Sequence, residues 1–178
     1  MPDTEIQQSK SRFSIAQIQP FVIRAVILFF SWKLLYIFLL QPYGIPNDWL
    51  TKFTEDTVAK VLSLFYDNVT QYNHAIYANN VETVIIAPEC NGLEVFVLYI
   101  GLMLCIPTNW LRLLAFSVMG VVSIFILNVL RSAALATMYY HQNYFVNFAH
   151  HYAFKLVIYG VVFLFWVWYT KALTKHEA

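Results

Sequence analysis

Ala87-Pro88-Glu89-Cys90-Asn91-Gly92-Leu93-Glu94 joins a polar, turn-rich segment to a long apolar one. A membrane-crossing segment needs none of these residues at its mouth: a proline, two acids, a cysteine and a glycine. A helix starting near Asn91 or Gly92 sets Cys90 at or beside its N-terminus. There the unpaired backbone N–H groups and the positive end of the helix dipole favour a thiolate. The same placement suits a small buried cysteine at a helix cap. The choice between the two turns on what the rest of the chain brings to this point.

The chain has 178 residues, 60% hydrophobic and only 12% charged, which marks a membrane protein. A net charge of +1 gives no basic field for nucleic acid. Cys90 and Cys105 are the two cysteines, and they fall at opposite ends of one apolar helix. That separates them by about 22 Å, too far for a disulfide. No dinucleotide fingerprint, P-loop, HExxH run or cluster of metal ligands is present, so no metal and no cofactor are expected.

Outward from Cys90, the periodicity predicts an all-α integral membrane protein of about four transmembrane helices, in a single polytopic domain over residues 1–178. Residues 1–20 form a polar cytoplasmic tail. The spans are expected at 21–40, 91–106 (closed by Pro107), 110–138 and 150–170. The first is longer than a signal-peptide core and is read as a retained helix. Arg24 can snorkel at its near end, and Lys33 snorkels or makes a contact inside the bundle. Residues 41–90 form an extracytoplasmic segment. It opens with a Pro/Gly loop at Gln41–Asp48 and continues as an amphipathic helix from Trp49 to Tyr66. A small β-hairpin follows, from Tyr72–Tyr77 and Val81–Ile86 around Ala78-Asn79-Asn80.

Charge fixes the orientation. Lys10, Arg12, Arg24, Arg112, Lys171 and Lys175 all fall on one side of a four-span fold, which makes that side cytoplasmic. Trp110, Trp166 and Trp168 mark the inner interface, and Asp48, Glu55, Asp56, Asp67, Glu82 and Glu89 lie outside. Cys90, Arg131 and His150 then share the outer membrane level, each at the end of a different helix.

These three match the needs of a cysteine peptidase or transpeptidase: a thiolate, a group that manages the proton, and a cation for the oxyanion. Cys90 would attack a peptide carbonyl, His150 would act as acid and base, and Arg131 would stabilise charge. Each has a plainer competitor. Arg131 can bind lipid headgroups, and His150 and His151 can be interfacial polarity. Asn128, three residues before Arg131 on the same face, can position substrate or bond a neighbouring helix. His151 is the alternative acid/base. Lys155 lies four residues after it and opposes its protonation, which favours His150. His74, His141 and His176 are read as solvated.

At these residues the chain resembles the exosortase/archaeosortase family of membrane transpeptidases, most closely the short, stand-alone exosortase F type. The resemblance rests on Cys90-Asn91-Gly92-Leu93, on Asn128-Val129-Leu130-Arg131 and on His150-His151-Tyr152, in that order. It implies a multi-pass protein of the bacterial inner membrane with its active site on the extracytoplasmic face. The implied partners are exported proteins carrying a C-terminal sorting signal, membrane lipid and an acceptor that the sequence does not identify. Carried over, Cys90 is the nucleophile, Arg131 the cation and His150 or His151 the acid/base, with Asn128, Asn91 and Gly92 positioning substrate. Two features depart from the family pattern: the chain is short, and Glu94 stands where many members have a basic residue.

Other classes fit parts of the pattern. A membrane scaffold or assembly subunit would use the same polar residues as interhelical contacts and would not need the Cys90 thiol. A carrier would use Arg131 and Glu94 as pathway charges, but no inverted repeat supports it. A haem protein, suggested by the histidine pair, would show a Soret band.

Overall fold

A computed structural model describes residues 15–106 and 109–174. Lys10, Arg12, Pro107, Lys175 and His176 lie outside the described residues. In chain order the elements are α1 (Ile15–Leu35), α2 (Asn47–Leu62), β1 (Val69–Tyr72), β2 (Ala75–Ala78), β3 (Val81–Ile85), α3 (Leu93–Leu104), α4 (Trp110–Tyr140), the short α5 (Val146–Phe148) and α6 (Phe154–Thr174). π-helical turns at Tyr36–Leu40 and Ala149–Ala153 end α1 and lead into α6.

The protein is a mostly helical membrane protein. Among the described residues three helical stretches are long and apolar enough to cross a bilayer: Gln19–Tyr43, Trp110–Tyr140 and Val146–Lys171. The expected second span is instead a 12-residue apolar helix. At 1.5 Å per residue α3 covers about 18 Å of a hydrocarbon core about 30 Å thick. Its start is fixed by Gly92, whose φ of 86° stops the helix from running back toward Cys90.

The 31 residues of α4 make the spine. Along its first half α3 and α6 pack against it. Tyr99 of α3 is fully buried, and its hydroxyl donates to the carbonyl of Phe116 at 2.8 Å. Gly120 makes room for that ring: a methyl group there would sit on Tyr99 itself. Tyr169 and Trp168 of α6 meet Phe116 edge-on, both at 5.3 Å between centroids.

The last turns of α4 carry a small lobe. Val129, Ala133 and Ala136 pack with Val58, Ala59 and Leu62 of α2 and with Ile76 and Ile86 of the sheet segment. α2 was expected to lie on the membrane or on the bundle, and it packs on the bundle. It runs Asn47–Leu62, two residues earlier than predicted at its start and four shorter at its end. Its buried Glu55 faces Lys52 Nζ at 3.6 Å and His74 Nδ1 at 3.4 Å, so His74 is not simply solvated.

The predicted hairpin is a three-stranded antiparallel sheet, ordered β1-β2-β3. The run Tyr72–Tyr77 is broken by a two-residue turn at Asn73-His74, and a second such turn lies at Asn79-Asn80. All four residues have positive φ, between 49° and 65°. Asparagine tolerates that conformation, and it is the one two-residue hairpin loops require.

α1 touches the rest at its ends. Arg24 Nη1, expected to snorkel, donates to the carbonyl of Cys105 at 3.1 Å. Phe21 meets Trp166, and the Tyr36 hydroxyl accepts from Asn47 Nδ2. Between these points its apolar side chains stay exposed, as a lipid-facing helix requires.

Gly120→Ala should destabilise the detergent-purified protein in thermal unfolding. The methyl gains about 1 kcal/mol of helix propensity, but overpacking a rigid aromatic contact typically costs about 1–3 kcal/mol. In a Tyr99→Val background the penalty should vanish or change sign, which a double-mutant cycle measures.

Candidate active site

Cys90 closes a single 3-10 turn, Pro88–Cys90, two residues short of α3. Its side chain is half-buried and its thiol is free. Its backbone is held at both ends. Cys90 N donates to Ala87 O at 2.8 Å, and Cys90 O accepts from Asn128 Nδ2 at 2.7 Å. Asn128 is 2% exposed, so this bond ties the cysteine turn to the middle of α4 through a dry contact.

Asn91 is wholly buried and fixes the same turn from the other side. Its Nδ2 donates to Asn47 Oδ1 at 3.0 Å and Thr51 Oγ1 at 3.1 Å, and its Oδ1 accepts from Leu93 N at 2.9 Å. One side chain therefore caps α3 and anchors α2. Gly92 follows in the left-handed region, and a Cβ there would lie 3.4 Å from Asn128 Nδ2. A side chain there would make ordinary contact with the asparagine, and the left-handed φ of 86° is what favours glycine.

Arg131 lies three residues beyond Asn128 on α4 and is half-buried. Its Nε is buried with no hydrogen-bond partner among the described residues. His150, half-buried on the π-helical turn before α6, lies within electrostatic range of Arg131, His151 and Lys155. Lys155 acts on His150 itself, so its charge gives no ground to separate the two histidines. Their surroundings do. His151 is exposed, and its Nδ1 donates to Asn147 O at 3.0 Å within its own helix. The ring centroids are 5.0 Å apart.

The structure thus gathers Cys90, Asn91, Gly92 and Asn128 in one contact, with Arg131 one turn on and His150 within its electrostatic range. Asn91 and Asn128 spend their donors on the protein itself and hold the cysteine turn. Tyr36, Asn47 and Thr51 complete this polar knot, and the sequence did not single them out. A signal was present: Thr51 and Thr54 interrupt the apolar face formed by Leu50, Val58 and Leu62, at helical spacing. Beside the turn a crevice of about 70 Å³ is lined by Lys33, Tyr36, Asn47, Pro88, Leu93 and Glu94, so Lys33 and Glu94 face one opening. Among the described residues no group of three or more His, Cys, Asp or Glu forms a metal site.

The family model described as transmembrane exosortase matches residues 12–169. Neither a curated protein nor a solved structure matches the chain.

Asn91→Ala removes a cap and strands buried groups on α2, an effect of about 2–3 kcal/mol. Thermal unfolding in detergent should fall by several degrees. Leu98→Ala, on the exposed side of α3, should leave the midpoint nearly unchanged.

Proposed function

The chain belongs to the transmembrane exosortase family, and we propose that it is a cysteine peptidase or transpeptidase of the short exosortase F type. Its substrates are exported proteins whose C-terminal sorting signal lies in the bilayer. The observation that carries this reading is the bond from Asn128 Nδ2 to the Cys90 carbonyl. It brings the Cys-Asn-Gly turn onto the helix that bears Arg131, which in turn neighbours His150.

In this proposal the Cys90 thiolate attacks the carbonyl at the cleavage point. The negative charge on the tetrahedral oxygen is met by Arg131, whose buried Nε has a hydrogen to give and no hydrogen-bond partner among the described residues. His150 protonates the departing amine, leaving the exported protein as a thioester on Cys90. It then takes a proton from the incoming nucleophile as the thioester breaks and the thiolate returns. An amine acceptor gives transpeptidation and water gives hydrolysis. Arg131 remains charged throughout and serves as an electrostatic group, never as the base.

The membrane supplies orientation. Eighteen residues of α4 separate Trp110 from Asn128, about 27 Å of helix, and nineteen separate Tyr169 from His150, about 28 Å. Both lengths approach the hydrocarbon thickness. With Trp110 and Tyr169 at the cytoplasmic interface, Cys90 and His150 stand at the extracytoplasmic one. A substrate helix leaving the bilayer there presents its first extramembrane peptide bonds.

Cells carrying Cys90→Ala should retain uncut C-terminal apolar tails on a set of exported proteins, read by mass spectrometry of C-terminal peptides. His150→Ala should lower processing by about 10²–10⁴-fold, whereas His151→Ala should change it only a few-fold. Unchanged C-termini in the Cys90→Ala strain, with the protein still abundant, would sink the peptidase reading and leave the membrane scaffold.

A further inference from the structure

The three-stranded sheet has two outer strands, and they differ. β3 packs against α4 and leads on to Cys90. β1 pairs with β2 alone among the described residues. Its four residues, Val-Thr-Gln-Tyr, carry no charge and no proline, and three of them are exposed. Apart from its shortness, β1 has none of the devices that keep a sheet edge from taking another strand.

The ladder shows which groups this edge presents. Asn79 N donates to Asn68 O at 2.7 Å. Bonded pairs alternate along an antiparallel ladder, so they fall at Asn68–Asn79, Thr70–Tyr77 and Tyr72–Ala75. Val69 and Gln71 lie between them, and their N–H and C=O groups point away from β2. Their side chains turn toward α2. There, with Asp56, Ala59, Lys60 and Ser63, they line a groove of about 310 Å³. A strand added to β1 would bond to Val69 and Gln71, and every second side chain would enter that groove.

Charge and direction narrow the occupant. Asp56 is paired with Lys52 at 3.1 Å, whereas Lys60 has no ion-pair partner among the described residues. The groove therefore favours an acidic side chain. β1 runs toward the cysteine turn: Lys52 Nζ donates to Gln71 Oε1 at 3.0 Å, and the neighbouring Thr51 holds Asn91. The Ile85 end of β3, from which the chain continues to Cys90, lies at the same end of the sheet as Tyr72.

We propose that the β1 edge is the docking strand for the exported protein. Its occupant is an extended segment ahead of the cut that carries an acidic side chain. Lying parallel to β1, the segment delivers its C-terminal end toward the cysteine turn. Backbone pairing accepts many sequences, and the groove beside Lys60 selects among them. This inference rests on the reading that exported proteins are processed at Cys90.

Gln71→Pro is the test. The ring removes an outward N–H and obstructs an incoming strand, yet it spares the bonds to β2 and suits an edge position. Gln71→Ala loses the same side chain and keeps the N–H. In cells, C-terminal peptides of exported proteins are quantified by mass spectrometry, and unfolding is followed on the purified full chain. Gln71→Pro should slow processing about fivefold, the scale of one backbone hydrogen bond, with a midpoint close to that of Gln71→Ala. Gln71→Ala should process as the native protein does. Lys60→Glu should slow the proteins with an acidic residue ahead of the cut, and Lys60→Arg should not. Should Gln71→Pro not accumulate, the Lys60 pair decides, and a native rate in both would overturn the proposal. Disulfide-linked dimers of Gln71→Cys in a Cys90→Ala background would give the edge to a second copy and also overturn it. Uncut tails in Cys90→Ala cells with native processing by Gln71→Pro would end this inference alone. Normal C-termini in Cys90→Ala cells would end the peptidase reading and this inference with it.

Discussion

The geometry of the candidate site depends on two buried amides that grip one turn from opposite sides. Asn128 holds the Cys90 carbonyl, and Asn91 holds Asn47, Thr51 and the start of α3. In a low-dielectric interior each such bond is stronger than in water, and each unpaired member would cost more. The knot is therefore close to all-or-none. Four pieces of chain that are remote in sequence meet there: the end of α1 through Tyr36, the start of α2, the cysteine turn and α4. Apolar packing alone would let α2 slide along α4 by a turn at modest cost. Directional bonds to Asn47 and Thr51 do not permit it.

The bilayer sets a second constraint. α4 is long enough to cross and then continue, and the continuation is what the sheet and α2 pack against. α3 covers about 18 Å in helical form, and its N-terminus adjoins the polar knot. The shortness and the knot belong together. A full-length α3 would carry Cys90 and Asn91 into helical geometry, with their backbone groups satisfied along the axis. The break at Gly92 instead turns the Cys90 carbonyl aside, where Asn128 receives it.

Much of this was legible in the sequence because hydropathy and helix punctuation act locally. The long apolar runs, the amphipathic pattern of α2 and the cysteine turn announce themselves within windows of about twenty residues. Within the expected 91–106 the helix covers Leu93–Leu104, because an apolar run does not by itself mark where the helix starts and stops. The first sheet turn was overlooked because Asn73-His74 lacks the glycine that usually marks such loops. Asn47 and Thr51 were invisible for a different reason. Their partner is Asn91, 44 and 40 residues away, and no local pattern encodes a pairing at that range. The same holds for Glu55 and His74, which the sequence left as a surface acid and a solvated ring.

The polar groups left over are as telling as those that are satisfied. Around Cys90 the amides of Asn91 and Asn128 bond within the protein and the start of α3 is capped. Against that background the buried Nε of Arg131 and the buried hydroxyl of Thr54 have no hydrogen-bond partner among the described residues. Both are donors, both are buried, and both belong to helices that the knot holds in register. A site that handles anionic oxygen needs donors that are already desolvated. Donors of that kind lower stability in the resting protein and meet their partners only as charge develops.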